Sequence, residues 1–238
     1  MTNKKIKTDE GKRFFYNRLA NRFDSVMNMY DTEKRVRIVY DELLSDDIRG
    51  KKLLDAGCGT GWFSKKAAEL EAEVYSSDIG TNLLKVVADK CDSRKVTGDL
   101  LALPFLPDTF SIVVCSEAIE HTINPAHAFT ELVRVLAPGG TLIVTVPNRF
   151  WHWSVRLADR LKIRPYEGLE NWPAWGELER WCVANNLKVE SMFGFHLFPF
   201  VLKFTYPVLD LLDKFRALSP FMVNIALKAT KGGTVKRS

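Results

Sequence analysis

The sequence predicts an α/β protein with a doubly wound, mostly parallel sheet and helices on both faces. From Lys52 onward, short apolar β-rich runs alternate with amphipathic stretches, the rhythm of a parallel sheet joined by helical crossovers. The first run ends in "LLDAGCGTG", where glycines 57, 59 and 61 leave a strand through bare backbone. Such a strand-to-helix turn lets main-chain N–H groups approach a ligand that a Cβ would exclude. At 238 residues the chain suits one domain with a full core.

The elements follow in order. Residues 10–45 carry helical spacing in Phe14, Leu19, Phe23 and Val26 and again in Val36, Val39, Leu43 and Leu44, interrupted by the polar "NMYDTEK". This predicts an N-terminal helical lid over residues 1–45, ahead of a main domain over 46–238. Strands are expected at "KLLDAG", "EVYSSD", "KVTGD", "FSIVVCSE" and "GTLIVTVP", and helices at "WFSKKAAELE", "NLLKVVADKC" and "PAHAFTELVRVL". Gly139 and Gly140, after the last of these helices, read as a helix stop and turn. After Pro147 the rhythm breaks. Residues 148–172 hold Phe150, Trp151, Trp153, Tyr166 and Trp172 without alternation and read as an inserted helical cap. "PAWGELERWCVANN" and "LKVESMFGF" restore a helix and a strand, and "FMVNIALKATK" reads as the last strand. Between them, a second insert over 196–218 opens with the very apolar "HLFPFVLKFTYPVLDLL". Lys203, Pro199 and Pro207 interrupt that run, and a spanning helix needs ~20 mainly apolar residues, so it is at most an interfacial segment.

Hydrophobic and charged fractions of 46% and 26% exclude a disordered or multi-spanning chain. The net charge of +5 leans on the ends, through Lys4, Lys5, Lys7, Lys228, Lys231, Lys236 and Arg237, and reads first as solvated tail. Cys58, Cys91, Cys115 and Cys182 form no C-x-x-C pair and the start is not signal-like, so a reduced, cytoplasmic protein is expected.

The glycine spacing narrows the ligand. A dinucleotide turn wants G-x-G-x-x-G, and Trp62 fills the third glycine position; a phosphate-binding loop needs Gly-Lys-Ser/Thr, and the chain runs Gly61, Trp62, Phe63. Asp55, Gly57, Gly59 and Gly61 together resemble the first motif of the class I S-adenosylmethionine-dependent methyltransferases. "GDL" at 98–100, "FSIVVCSEAIEH" and "LAPGGTLIVTVPN" continue that family's order. The resemblance implies a seven-stranded Rossmann-like methyltransferase fold with S-adenosyl-L-methionine as cofactor. It implies Asp78 on the ribose hydroxyls, Asp99 and Leu100 on the adenine, and Ser116 at the cofactor pocket. Asp55 either touches the cofactor or orients the glycine loop. Cys58 reads as a small residue that fits the loop.

A sulfonium methyl is already activated, so transfer needs mainly an in-line nucleophile held in place. A phenol, with pKa ~10, benefits from a base or a metal. Glu117, Glu120 and His121 stand at i, i+3 and i+4, so a helical turn after the fourth strand would set them on one face at the carboxyl edge. There they could hold a divalent ion such as Mg, or His121 and Glu120 could handle the proton; capping and surface roles are the bland alternative. Glu-x-x-Glu-His here, "TVPNRFW" before a helical insert and "GFHLFPF" before an apolar one resemble the O-methyltransferases of ubiquinone biosynthesis. That resemblance implies a lipophilic acceptor hydroxyl and peripheral membrane contact. "LENWPAWGEL" and Ser111 depart from the group's pattern. C- or N-methylation of a small molecule is the alternative. Nucleic acid is a poorer partner, because no long basic stripe and no Asn-Pro-Pro-Tyr motif accompanies Asn148. A cofactor-binding subunit without catalysis is a further alternative.

Overall fold

The computed structural model describes residue 24 and residues 27–44, 46–160, 169–200 and 202–233. Phe14, Leu19, Phe23 and Val26 of the first expected helix lie outside the described residues, as do Tyr166 and the terminal Lys4, Lys5, Lys7, Lys236 and Arg237.

Helix α1 (Met29–Arg37) runs through the polar stretch expected to interrupt the N-terminal helices. Asn28 caps it, its side chain accepting from the Tyr30 N–H, and Asp31, Thr32, Lys34 and Arg35 are buried rather than solvated. A wider π-type turn, Ile38–Leu43, continues it. The alternating elements then follow: β1 (Lys52–Ala56), α2 (Trp62–Glu69), β2 (Glu73–Asp78), α3 (Thr81–Lys90), β3 (Arg94–Thr97), β4 (Phe110–Ser116), α4 (Pro125–Val135) and β5 (Leu136–Pro147). The first insert supplies α5 (His152–Arg160), after which α6 (Trp175–Ala184) leads to β6 (Leu187–Phe195). The second insert supplies α7 (Tyr206–Leu212) between short 3-10 turns, and β7 (Asn224–Lys231) ends the sheet.

Strand order is β3-β2-β1-β4-β5-β7-β6, parallel except for β7, which runs antiparallel to both neighbours. Apolar strand residues face both ways, as a sheet covered on two sides requires. One layer packs Phe129 and Leu132 of α4 and Leu178 of α6 on Leu54, Val113 and Leu142; the other packs Val39, Tyr40 and Phe63 on Leu53, Ile112 and Ile143. The order reverses between β1 and β4, so their carboxyl ends open the crevice where such sheets bind ligands.

The turn after α4 is also corrected. "LAPGG" is not a free turn, because β5 begins at Leu136 directly after α4. The stretch still pairs with β4 across an irregularity between Phe110 and Ile112, and Gly139 takes the strain at a φ of 76°.

Phe110 is fully buried, edge-on to Phe105 and Tyr75 at 4.9 and 5.1 Å between ring centres. Phe110→Ala should cost ~3–5 kcal/mol, read as a lower urea midpoint at unchanged slope.

Candidate active site

Leaving β1, the chain turns through Gly57, Gly59 and Gly61 with φ of 73°, 53° and 84°, a region that L side chains rarely adopt. A Cβ at Gly57 would lie 2.5 Å from the Ala118 methyl and 3.6 Å from Leu100 Cδ1. The glycine turn, the "GDL" loop and the loop after β4 therefore meet at one point. Asp78 closes the turn from β2: Oδ2 accepts from the Gly59 N–H at 2.9 Å and Oδ1 from the Gly80 N–H at 2.8 Å. Burial pushes its carboxyl up to about 6. Asp55 points behind the turn, accepting from Ser64 Oγ at 2.6 Å; Ser64 is linked to Ser76, and Ser76 donates to Ser93. Burial raises it to about 7. Asp99 folds back on its own loop and accepts from the Leu101 N–H at 2.9 Å. Burial drives the Cys58 thiol well above its ordinary range, so it stays protonated and a poor nucleophile.

The loop after β4 does not make the expected helical turn. Glu117 sits at a φ of 51°, and only Ile119–His121 form a short 3-10 turn, so the three side chains do not line one helical face. Glu117 Oε1 accepts from Asn224 Nδ2 of β7 at 3.0 Å. Glu120, 1% exposed, lies close enough to Glu117 for the two carboxyls to repel each other. Burial raises both, mutual repulsion raises Glu117 further, and Arg35 pulls both back. His121 turns outward to the second arm of the first insert: Nδ1 lies 2.8 Å from the Leu169 carbonyl and Nε2 3.8 Å from Glu120 Oε1. A metal cage needs several donors converging on one point, and among the described residues no three His, Cys, Asp or Glu side chains do so. The trio Glu117, Glu120 and His121 thus does not fit a metal ion.

Sequence reasoning missed the residues behind this loop. Arg35 of α1 is buried, donating from Nε to Asp31 at 2.8 Å and from Nη1 to Ser116 Oγ at 2.8 Å. Ser116 is also bonded to Thr145 of β5 at 2.7 Å. Burial opposes the charge of Arg35, but Asp31, Glu117 and Glu120 outweigh it and raise its pKa. Asp31 also meets His196 Nε2, at the end of β6, at 3.2 Å. Asp24 lies beside the glycine turn, accepting from Thr60 at 2.5 Å, Trp62 Nε1 at 3.2 Å and Lys90 at 2.6 Å. The Asp31/Arg35 spacing of i, i+4 was the one signal that could have exposed part of this set.

Residues 54–144, from β1 into β5, match the family model described as a methyltransferase domain. A curated relative, the ubiquinone biosynthesis O-methyltransferase of Dechloromonas aromatica (strain RCB), is 29% identical over 66% of this chain and 73% of its own. The demethylmenaquinone methyltransferase of Paenarthrobacter aurescens (strain TC1) is 28% identical over 66% of this chain and 70% of its own. The chain carries a methyltransferase domain. Among solved structures, magnesium protoporphyrin IX methyltransferase from Synechocystis PCC 6803 with bound SAH superposes with a TM-score of 0.67 at 17% identity, covering 94% of this chain and 100% of that one. The methyltransferase shares that fold, and its positive-φ glycine turn leaves room at the switch point for main chain to meet such a ligand.

The raised carboxyls make the stability of this methyltransferase depend on pH. A carboxyl whose folded pKa is raised binds more protons folded than unfolded, so stability falls as pH climbs from the unfolded value, ~4, through the folded one. With Asp78 at about 6, Asp55 at about 7 and the glutamate pair also raised, the ligand-free chain should have a higher urea midpoint near pH ~5.5 than near pH ~8.5. Glu120→Gln should flatten that slope.

Proposed function

We propose that this methyltransferase transfers the methyl group of S-adenosylmethionine to a hydroxyl of a small lipophilic acceptor. The observation that carries the reading is the junction at Gly57, where a ligand-admitting turn meets the loop that buries Glu120 at the same sheet edge. Gly57, Gly59 and Gly61 bring main-chain N–H groups to the cofactor, Asp78 takes the ribose hydroxyls, and Asp99 and Leu100 take the adenine. Asp55, spent on Ser64, and Ser116, spent on Arg35 and Thr145, support the pocket from behind. The cofactor supplies a methyl on a sulfonium; the transfer forms an O–C bond and breaks a C–S bond, whose electron pair stays on sulfur. The chain's own task is to hold the hydroxyl in line and remove its proton. The sheet edge offers two imidazole–carboxylate pairs for that proton: His121 beside Glu120, and His196 beside Asp31.

An apolar rim supports the lipophilic acceptor. Phe150 and Trp153 of the first insert are about half exposed, and the Phe150 ring lies 5.6 Å from Phe221, just past the second. Phe204 is 79% exposed, and Val208, Leu211 and Phe215 are open around α7. Exposed aromatics on this scale mark a surface that meets lipid or another apolar phase. Among the described residues no helix is long and apolar enough to cross a membrane, so the contact we propose is peripheral. Methylation of a ring carbon is the second reading, favoured by the demethylmenaquinone methyltransferase relative.

Radiolabelled S-adenosylmethionine offered with a lipid extract, hydroxylated quinone precursors and bulk RNA should label an organic-extractable methyl ether. That activity should be unchanged by EDTA, because the donor set does not converge. Label on a ring carbon would favour the second reading, and label in RNA would remove the first. In flotation with anionic vesicles the chain should rise with the lipid, and Trp153→Ser with Phe204→Ser should cut the bound fraction several-fold; a wild-type chain left at the bottom would remove the membrane contact.

A further inference from the structure

His196 stands apart from the other polar groups of the sheet edge. Its side chain is fully buried, and its backbone holds a φ of 60°, a strained value that the fold maintains directly after β6. Nε2 lies 3.2 Å from Asp31 Oδ1, while buried Nδ1 has no hydrogen-bond partner among the described residues. Burial would raise the Asp31 carboxyl, but Arg35 and His196 hold it below its ordinary value, so Asp31 is an acceptor and Nε2 carries the hydrogen. In the neutral ring that tautomer leaves a lone pair on Nδ1. An orphaned buried nitrogen is costly in a settled core and calls for a partner that arrives later.

The surroundings suit an aromatic hydroxyl. Tyr30 and Phe200 approach the imidazole with ring centres at 5.4 and 4.4 Å, and Tyr206 stacks on Tyr30 at 3.7 Å. The charged groups around the imidazole are all committed. Asp31 is held by Arg35, Asp213 accepts the His196 backbone N–H at 2.7 Å and pairs with Lys34, and the Tyr30 hydroxyl donates to Asp210 at 2.8 Å. The other imidazole is less suited. His121 Nδ1 faces the Leu169 carbonyl and its Nε2 faces Glu120, so both nitrogens are already directed at protein oxygens.

We infer that His196, oriented by Asp31, is the base that takes the proton of the acceptor hydroxyl. This rests on the hydroxyl reading of the function. An aromatic acceptor displaces Phe200 and brings its O–H to Nδ1; the proton passes to the ring as the oxygen commits its electron pair to the methyl group, and it leaves to solvent after the product. Asp31 offsets the imidazolium charge, and Arg35 keeps Asp31 in place.

The test uses the full chain with 4-octylphenol as hydroxyl probe and radiolabelled S-adenosylmethionine. His196→Gln should lower kcat about 100-fold or more, leave the KM for the phenol within about threefold, and abolish the acidic limb of the pH–rate profile. Asp31→Asn, which keeps the shape of the pair, should lower kcat about tenfold and serves if the first variant fails to fold. Imidazole nitrogen NMR of the wild-type chain, with His196 assigned by its loss in the variant or by its shift in Asp31→Asn, should show a hydrogen on Nε2 and a bare Nδ1 that shifts when the phenol is added. A His196→Gln chain that keeps kcat within threefold, or a spectrum with the hydrogen on Nδ1, overturns the assignment while leaving hydroxyl methylation in place. A wild-type chain that labels no hydroxyl probe overturns the hydroxyl reading and this assignment with it.

Discussion

The closeness of two loops governs this molecule. β1 and β4 are hydrogen-bonded neighbours, and the chains that leave their carboxyl ends share one gap, in which a Cβ at Gly57 would lie 2.5 Å from the Ala118 methyl. A side chain cannot be accommodated there by a rotamer change, because the clash is with Cβ itself and the φ is positive. Gly61 repeats the constraint four residues on, where a Cβ would meet Val87 of α3 at 2.9 Å, so the close packing of α2 on α3 depends on that glycine. Once the turn is fixed, Asp78 can accept from Gly59 and Gly80 together.

The second organising feature is a set of charges placed where charges are expensive. Asp31, Arg35, Lys34 and Asp213 are buried or nearly so, and an unpaired ion there would cost several kcal/mol. Their pairing does not make the fold strongly stable, since the Coulombic gain is largely cancelled by lost hydration. It restricts the docking of α1 to one position. Sliding the helix by a residue would strand Arg35 away from Ser116 and Lys34 away from Asp210 and Asp213. An apolar helix face would tolerate such a slip; this one does not.

That distinction explains what could be read in the sequence. β1 to β5 and their helices were legible because period-2 and period-3.6 patterns follow directly from burial of one face. The glycine turn was legible because its backbone demand admits few residues. α1 was not, because "NMYDTEK" looks solvated, and the partners that bury it lie at Ser116, His196 and Asp213, more than eighty residues away. The geometry of Glu117, Glu120 and His121 was hidden for a related reason. Their spacing suits a helical face, but Asn224 draws Glu117 toward β7 and the Leu169 carbonyl draws His121 toward the first insert. Tertiary partners overrode local periodicity at the sheet edge, where ligand-binding groups gather.

The inserts are therefore part of the carboxyl edge of the sheet and not an appendage to it. Asn171 donates from its backbone to the Glu120 carbonyl and from its side chain to the Thr122 carbonyl, both at 2.8 Å, so the return of the first insert is sewn to the acidic loop. The opening of the same insert is sewn to the stretch that leads from the second into β7: Asn148 Nδ2 donates to the Pro220 and Met222 carbonyls, and Trp151 Nε1 to the Phe221 carbonyl. Met222 and Val223 then lead into Asn224, which holds Glu117. A change in either insert, made to admit a different acceptor, moves the ends of these bonds and with them Glu117, Glu120 and His121. The inserts and the acidic loop are thus linked as one mechanical unit, and a shared fold takes its particular chemistry from what is attached at such an edge.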